Sequence, residues 1–167
     1  MKRLSWFTAA CAIALSVLFS GCGSTSEKDY PVSVPRFLIE ADGDEVGINV
    51  RLPLSGVLVR VKPKSIITEY DITNAQVVQS DLGAAVMFQL TSQAARDLYR
   101  LSATNQGRRI LTTVNGEALA ASRMDTPIGE GVIVSYLEIP PELLPELVEN
   151  INKTCRDLQK ELDKQKK

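Results

Sequence analysis

The N-terminal apolar segment decides how much of this chain is left to fold. Basic residues precede an almost wholly apolar stretch, residues 4–19, and small residues follow it. A membrane-spanning helix needs about 20 consecutive apolar residues, so this stretch is short for one. A basic start, a short apolar centre and small residues at the end are instead typical of a cleaved secretion signal. We therefore expect residues 1–21 to be a signal peptide and the folded part to come from residues 22–167.

A cysteine directly follows this signal. The sequence Leu18-Phe19-Ser20-Gly21-Cys22 resembles the lipobox of bacterial lipoproteins, with Phe19 in place of the usual leucine. The resemblance implies that Cys22 is the lipidation site and carries acyl chains such as palmitate. Several chains are needed for a stable membrane anchor, because a single one binds only marginally. An ordinary signal beside a chance cysteine and an uncleaved N-terminal helix are the alternatives.

The residues after Cys22 indicate the membrane to which the protein is sorted and the kind of tether that follows the anchor. By the sorting rules of enteric bacteria, Gly23 at the second mature position implies the outer membrane, since aspartate there is the usual inner-membrane retention signal. Residues 22–35 begin with small and polar side chains that cannot bury a core, so we expect a flexible tether. The predicted location is the cell envelope, lipid-anchored and facing the periplasm.

Composition argues against catalysis and nucleic-acid binding. The chain has no histidine, which removes the commonest general base and the commonest metal ligand. Its net charge of −1 gives no support to a nucleic-acid partner, which needs a basic surface. The acidic run at residues 40–45 lacks the spacing of a calcium-binding loop, so a solvated turn is favoured over a cation site. We expect no catalytic residues, no metal and no cofactor. The arginines around Arg108 and Arg109 are expected to be solvated, with contact to an acidic partner or to phospholipid headgroups as the alternative.

The apolar pattern predicts strands, a helix, more strands and a second helix. Strand-like runs lie at residues 36–41, 46–52, 57–61, 72–79, 84–90, 109–114, 118–124 and 132–139. The turns at residues 42–45 and at Asn115-Gly116 predict hairpins. Residues 92–105 have helical spacing, with Thr91 or Ser92 as the N-cap. This order predicts an α+β fold, in which two helices pack on one face of a mainly antiparallel sheet.

The final helix is predicted to be longer than its sheet requires. Residues 36–152 are expected to form the domain, and residues 153–167 a charged helical extension. An apolar stripe continues into this extension through Ile151, Cys155, Leu158 and Leu162. The stripe either pairs with a partner helix, in which case Cys155 can form a disulfide across a homodimer, or ends as a frayed tail. For the thiol itself, a buried and inert Cys155 is favoured over an intermolecular disulfide.

Several short motifs occur in an order that resembles a known family. They are Asp71-Ile72-Thr73-Asn74-Ala75, Leu90-Thr91, Thr104-Asn105-Gln106-Gly107-Arg108, Asn115-Gly116 and Gly129-Glu130-Gly131. Over residues 57–150, this order is similar to the head of the first periplasmic domain of SecD, an accessory subunit of the Sec translocon. A departure is Ala121-Ser122-Arg123, where the family usually has Ser-Ala-Pro.

The resemblance implies a fold and a capacity to contact extended polypeptide. The transmembrane helices through which SecD couples to the proton-motive force have no counterpart in this sequence, so we expect no translocation activity from the chain alone. Fold does not transfer function by itself. The predicted function is a non-catalytic envelope lipoprotein that binds protein or peptide through a sheet edge or an apolar groove. The alternative is a structural or assembly subunit that oligomerises through its C-terminal helix.

Overall fold

The computed structural model describes residues 28–165, so the predicted signal peptide, Cys22 and Gly23 lie outside the described residues. The elements are β1 (Pro35–Ile39), β2 (Ile48–Arg51), β3 (Leu58–Val61), β4 (Ile72–Ser80), β5 (Gly83–Leu90), α1 (Ser92–Thr104), β6 (Arg109–Val114), β7 (Glu117–Arg123), β8 (Val132–Ser135) and α2 (Leu144–Gln165). Single 3-10 turns precede β4 at Glu69–Asp71 and α2 at Pro141–Leu143.

The strands form three antiparallel sheets rather than the one that the sequence predicts. The sheets have the orders β1-β6-β7, β2-β3 and β4-β5-β8. The helix α2 lies against β4, and α1 contacts β5. The predicted α+β class, with antiparallel strands and two helices, is confirmed.

The predicted hairpin at residues 42–45 is wrong. β1 pairs with β6, while β2 pairs with β3. The free edge of β1 is already bound by the segment that follows β3, because the Phe37 amide donates to the Ile67 carbonyl and the Lys62 amide donates to the Ile39 carbonyl. β2 therefore has no backbone groups of β1 left to pair with.

The predicted hairpin at Asn115-Gly116 is confirmed. Asn115 has φ 53° and Gly116 has φ 84°. A two-residue type I′ turn needs positive φ at both central positions, which asparagine and glycine tolerate best. The predicted strand at residues 132–139 is shorter than expected, since β8 ends at Ser135. Beyond it, the Glu138 amide donates to the Leu119 carbonyl of β7 instead of continuing the ladder with β5.

One main core joins the two three-stranded sheets and both helices. Phe37 of β1 and Phe88 of β5 meet edge to face at its centre, with ring centroids 5.1 Å apart and an interplanar angle of 86°. This is the arrangement that aromatic quadrupoles favour. A smaller cluster joins β2 and β3 to the opposite face of β6, where Leu111 is fully buried.

Side-chain hydrogen bonds stabilise the start of α1 and attach α2 to the sheet. The hydroxyl of Thr91 accepts from the Ala94 amide at 3.3 Å, which confirms the predicted N-cap of α1. In α2, the Asn152 amide both donates to and accepts from the backbone of Ala75 at 2.8 Å. Asn152 thus pairs with the backbone N–H and C=O of Ala75 at the edge of β4, as a neighbouring strand would.

The Phe88→Ala variant tests the central position of the aromatic pair. We expect the free energy of unfolding to fall by about 3–5 kcal/mol, since the substitution leaves a cavity in the main core. Urea denaturation followed by circular dichroism measures it. Tyr99→Ala is the matched control, because Tyr99 is 51% exposed, and its effect is expected to stay within about 0.5 kcal/mol. Equal losses in the two variants would contradict the packing described.

Candidate functional site: an apolar cleft with an acidic rim

The N-terminal segment, residues 28–34, is bound to the domain on two sides. The Asn115 side chain accepts from the Val34 amide at 2.8 Å and donates to the Val32 carbonyl at 2.9 Å. On the other side, the Ser33 amide donates to Thr154 Oγ1 of α2 at 3.0 Å, in a buried position. The predicted flexible tether of residues 22–35 is therefore corrected for residues 30–34, because these hydrogen bonds, and that of the Tyr30 hydroxyl to Asp157, hold this stretch against the domain.

A cleft of about 430 Å³ opens beside this segment. Its walls come from five separate parts of the chain: the N-terminal segment, Pro53, the β6–β7 hairpin, residues 138–140 and the start of α2. The apolar lining residues are Pro31, Pro53, Val114, Leu119, Ile139, Pro140, Leu143 and Leu147. Leu143 is 51% exposed at the mouth, so apolar surface continues from the cleft to the outside.

The rim of the cleft is acidic. Glu117, Glu138 and Glu146 line it, and no lysine or arginine of the described chain does. Glu138 Oε2 accepts from the Leu54 amide at 2.8 Å and the Ser55 amide at 2.9 Å, which holds Pro53 in the wall. Burial works to raise the pKa of Glu138, but these hydrogen bonds outweigh it and the pKa lies below its ordinary value.

The acidic run at residues 40–45 is an exposed turn at Asp42–Asp44, as predicted, flanked by ion pairs of Glu40 and Glu45. Glu45 pairs with Lys62 at 2.7 Å and with Arg108 at 2.9 Å. Glu40 pairs with Arg109. The predicted solvated state of Arg108 and Arg109 is therefore corrected, since both guanidinium groups are bound to carboxylates. Within residues 28–165, no three His, Cys, Asp or Glu side chains are grouped so as to hold a metal.

The stripe of the final helix is divided between the core and the surface. Ile151 and Cys155 belong to the main core, whereas Leu158 and Leu162 are half-buried. Burial raises the pKa of the Cys155 thiol to about 12, and a disulfide across a dimer would require this thiol to leave the core. A partner helix on Leu158 and Leu162 stays a prediction.

The predicted helical extension is continuous with the domain. The Gln159 amide donates to the carbonyl of Ile72 at 2.9 Å. α2 runs unbroken to Gln165, so the predicted boundary at residue 152 does not coincide with a break in structure.

Sequence reasoning missed the cleft. Its three carboxylates are far apart in the sequence and follow no motif, and only Asn115-Gly116 carried a local signal, which was for the hairpin. The separate walls meet because the Asn115 side chain and Thr154 hold the N-terminal segment between β6 and α2. Such long-range contacts leave no periodic trace in a single sequence.

Comparison with solved structures shows which known fold this is. No family model matches the chain, and no curated protein matches it. It is similar to a structure of SecDF, a membrane component that enhances protein export, with TM-score 0.56 and 19% identity, covering 91% of this chain and 70% of that one. It is also similar to a crystal structure of SecDF in a super-membrane-facing form, with TM-score 0.56 and 19% identity, covering 72% of this chain.

These similarities confirm the predicted SecD-like fold. The chain spans only 18% of the length of the super-membrane-facing SecDF. At 19% identity, the likeness shows the fold alone. No helix of residues 28–165 has the length and apolar character to span a membrane.

A pH titration tests the ion pairs of residues 40–45. Hydrogen bonds from the Asp42 amide and Lys62 lower the pKa of Glu45 from 4.5 to about 2. The unfolded state therefore binds a proton at higher pH than the folded state, and the stabilisation from Glu45 is present above pH 4.5 and lost as the pH falls toward about 2.

Urea unfolding at several pH values measures this slope. We expect Glu45→Gln to flatten the loss of stability between pH 4.5 and about 2. Asp44→Asn is the matched control on the same turn and should leave the slope unchanged. An unaltered slope in Glu45→Gln would contradict the assigned ion pairs.

Proposed function

We propose that this protein is a non-catalytic lipoprotein of the cell envelope whose SecD-like domain binds an extended polypeptide segment in the acidic-rimmed cleft. The cleft is the observation that carries the proposal. Its volume of about 430 Å³ suits a small number of side chains, and apolar lining with a few convergent polar groups is typical of binding sites. Cys22 supplies the anchor, and the domain faces the periplasm.

The chemistry of the cleft indicates which segment it accepts. Its floor of leucine, valine, isoleucine and proline side chains favours apolar residues of the ligand. Glu117 and Glu146 are exposed at the rim, where they attract lysine or arginine. Asn150 adds an amide that can bind a peptide backbone group. We therefore propose a ligand with apolar side chains flanked by basic ones.

The similarity to SecDF supports a role beside protein export. SecDF is a membrane component that enhances protein export, and polypeptides in transit are extended and expose apolar residues. A domain of the same fold, held at the membrane by a lipid, would meet such segments on the periplasmic side. We propose an accessory role of this kind, which requires neither a cofactor nor catalysis.

Peptide titration tests the cleft. The probe is a synthetic peptide with a leucine-rich centre and flanking lysines, and its affinity is followed by calorimetry. We expect the double variant Glu117→Gln, Glu146→Gln to bind it about 3–30-fold more weakly, because each of the two lost ion pairs at an exposed rim contributes about 0.3–1 kcal/mol. Added salt should weaken wild-type binding in the same direction.

Two matched controls separate the rim from general charge effects. Glu130→Gln changes an exposed glutamate outside the cleft and should leave the affinity unchanged. A second peptide with glutamine in place of lysine should bind the wild type and the double variant equally. No binding of the lysine peptide to the wild type, or equal losses in Glu130→Gln and the double variant, would overturn the proposal.

A further inference from the structure

One buried polar side chain in the cleft has no partner among the described residues. Asn150 lines the cleft and is 8% exposed, and no hydrogen bond within residues 28–165 involves its amide. In this part of the chain, no side-chain nitrogen or oxygen is both fully enclosed and unpaired. The small exposed part of Asn150 therefore includes its amide atoms, which open into the cleft with donor and acceptor free.

The other polar side chains inside the cleft are already used by the fold. Asn115 binds the backbone of the N-terminal segment, and the Ser33 hydroxyl donates to the Pro31 carbonyl at 3.3 Å. Glu138 accepts from two backbone amides. The two remaining glutamates are exposed at the rim. Asn150 is thus the polar group of the inner cleft that is available to a ligand.

The geometry of α2 explains why Asn150 faces the cleft. Glu146 and Leu147 also line it, and they precede Asn150 by four and three residues, so the three side chains share one face of the helix. Asn152 lies about 200° further round the helix, at about 3.6 residues per turn. It therefore faces β4, where it binds the backbone of Ala75.

A buried amide without a partner is unfavourable for the free protein. Folding removes most of the water from Asn150 and supplies no protein group in its place. A leucine has nearly the same shape and would avoid this cost. The fold thus carries, at the inner wall of a cleft, a donor and an acceptor that its own packing does not use, which indicates a ligand.

Two other asparagines show what such an amide binds in this protein. Asn152 accepts from the Ala75 N–H and donates to its C=O, both at 2.8 Å. Asn115 accepts from the Val34 N–H at 2.8 Å and donates to the Val32 C=O at 2.9 Å. In both cases the side chain holds backbone outside a helix, because its acceptor and donors match those of a peptide group.

We propose that Asn150 is the specificity-determining residue of the cleft and that its amide pairs with both the backbone N–H and the backbone C=O of one ligand residue. The inference rests on the proposed function, since it concerns the same cleft. It narrows the substrate class to extended segments with an unsubstituted N–H at this position. Proline is excluded there, since it has no N–H, and the side chain of that ligand residue contributes little to this contact.

An ester scan of the ligand tests this contact. The probe is the peptide with a leucine-rich centre and flanking lysines, made as a series in which an ester replaces one central amide at a time, so that one N–H is lost. Calorimetry with the wild-type protein should show one ester that weakens binding by about 5–30-fold, because the Asn150 acceptor then stays unpaired in a buried place. Esters at the other positions should have smaller effects.

The variant Asn150→Leu completes the cycle. We expect it to bind the unmodified peptide about 5–30-fold more weakly and to be insensitive to the ester that weakens wild-type binding most. Its urea midpoint should not fall, since leucine removes an unpaired buried amide. Asn74→Leu, which changes an exposed asparagine of β4 outside the cleft, is the matched control and should keep the affinity and the ester pattern of the wild type.

The outcomes separate this inference from the proposed function. Equal affinity of the wild type and Asn150→Leu, or an ester effect of the same size in both, would overturn the role of Asn150. The peptide-binding cleft would still stand if the double variant at Glu117 and Glu146 lowers the affinity. No binding of the peptide to the wild type would overturn both. Should Asn150→Leu fail to fold, wild-type affinity that is the same for every ester peptide would overturn the inference by itself.

Discussion

The hydrogen bonds that hold the N-terminal segment between Asn115 and Thr154 are the constraint on which the cleft depends. A buried backbone amide must be paired, and Thr154 Oγ1 is the partner of the Ser33 amide. Asn115 satisfies two further backbone groups of the segment from the opposite side. Without these contacts, Pro31 and Ser33 would not line the cleft, and the chain would leave the domain at an undefined place.

The same segment forms part of the cleft. Pro31 and Ser33 line it, so a ligand in the cleft would contact the stretch of chain that leads back toward Cys22. The other side of this stretch is bound to α2, where the Tyr30 hydroxyl donates to Asp157 Oδ2 at 2.6 Å.

Local features were predictable, and pairings between distant strands were not. The Asn115-Gly116 turn, the Thr91 cap and the helical spacing of residues 92–105 depend on neighbours in sequence, and each is confirmed. The hairpin at residues 42–45 looked equally local but is wrong, because residues 62–67 occupy the edge of β1. The order of several weak motifs predicted the SecD-like fold, which the similarity to SecDF structures confirms.

The sequence by itself determined the class of fold, the turns and the helix cap, since these follow from hydrophobic period and backbone preference within a few residues. Tertiary structure alone decided that Glu117, Glu138 and Glu146 share one rim, and that residues 30–34 are bound to the domain. The physical reason is that these features depend on contacts between segments that are distant in the sequence. Packing and hydrogen bonding across the whole domain determine which backbone edges and apolar faces pair, and local sequence patterns do not encode these pairings.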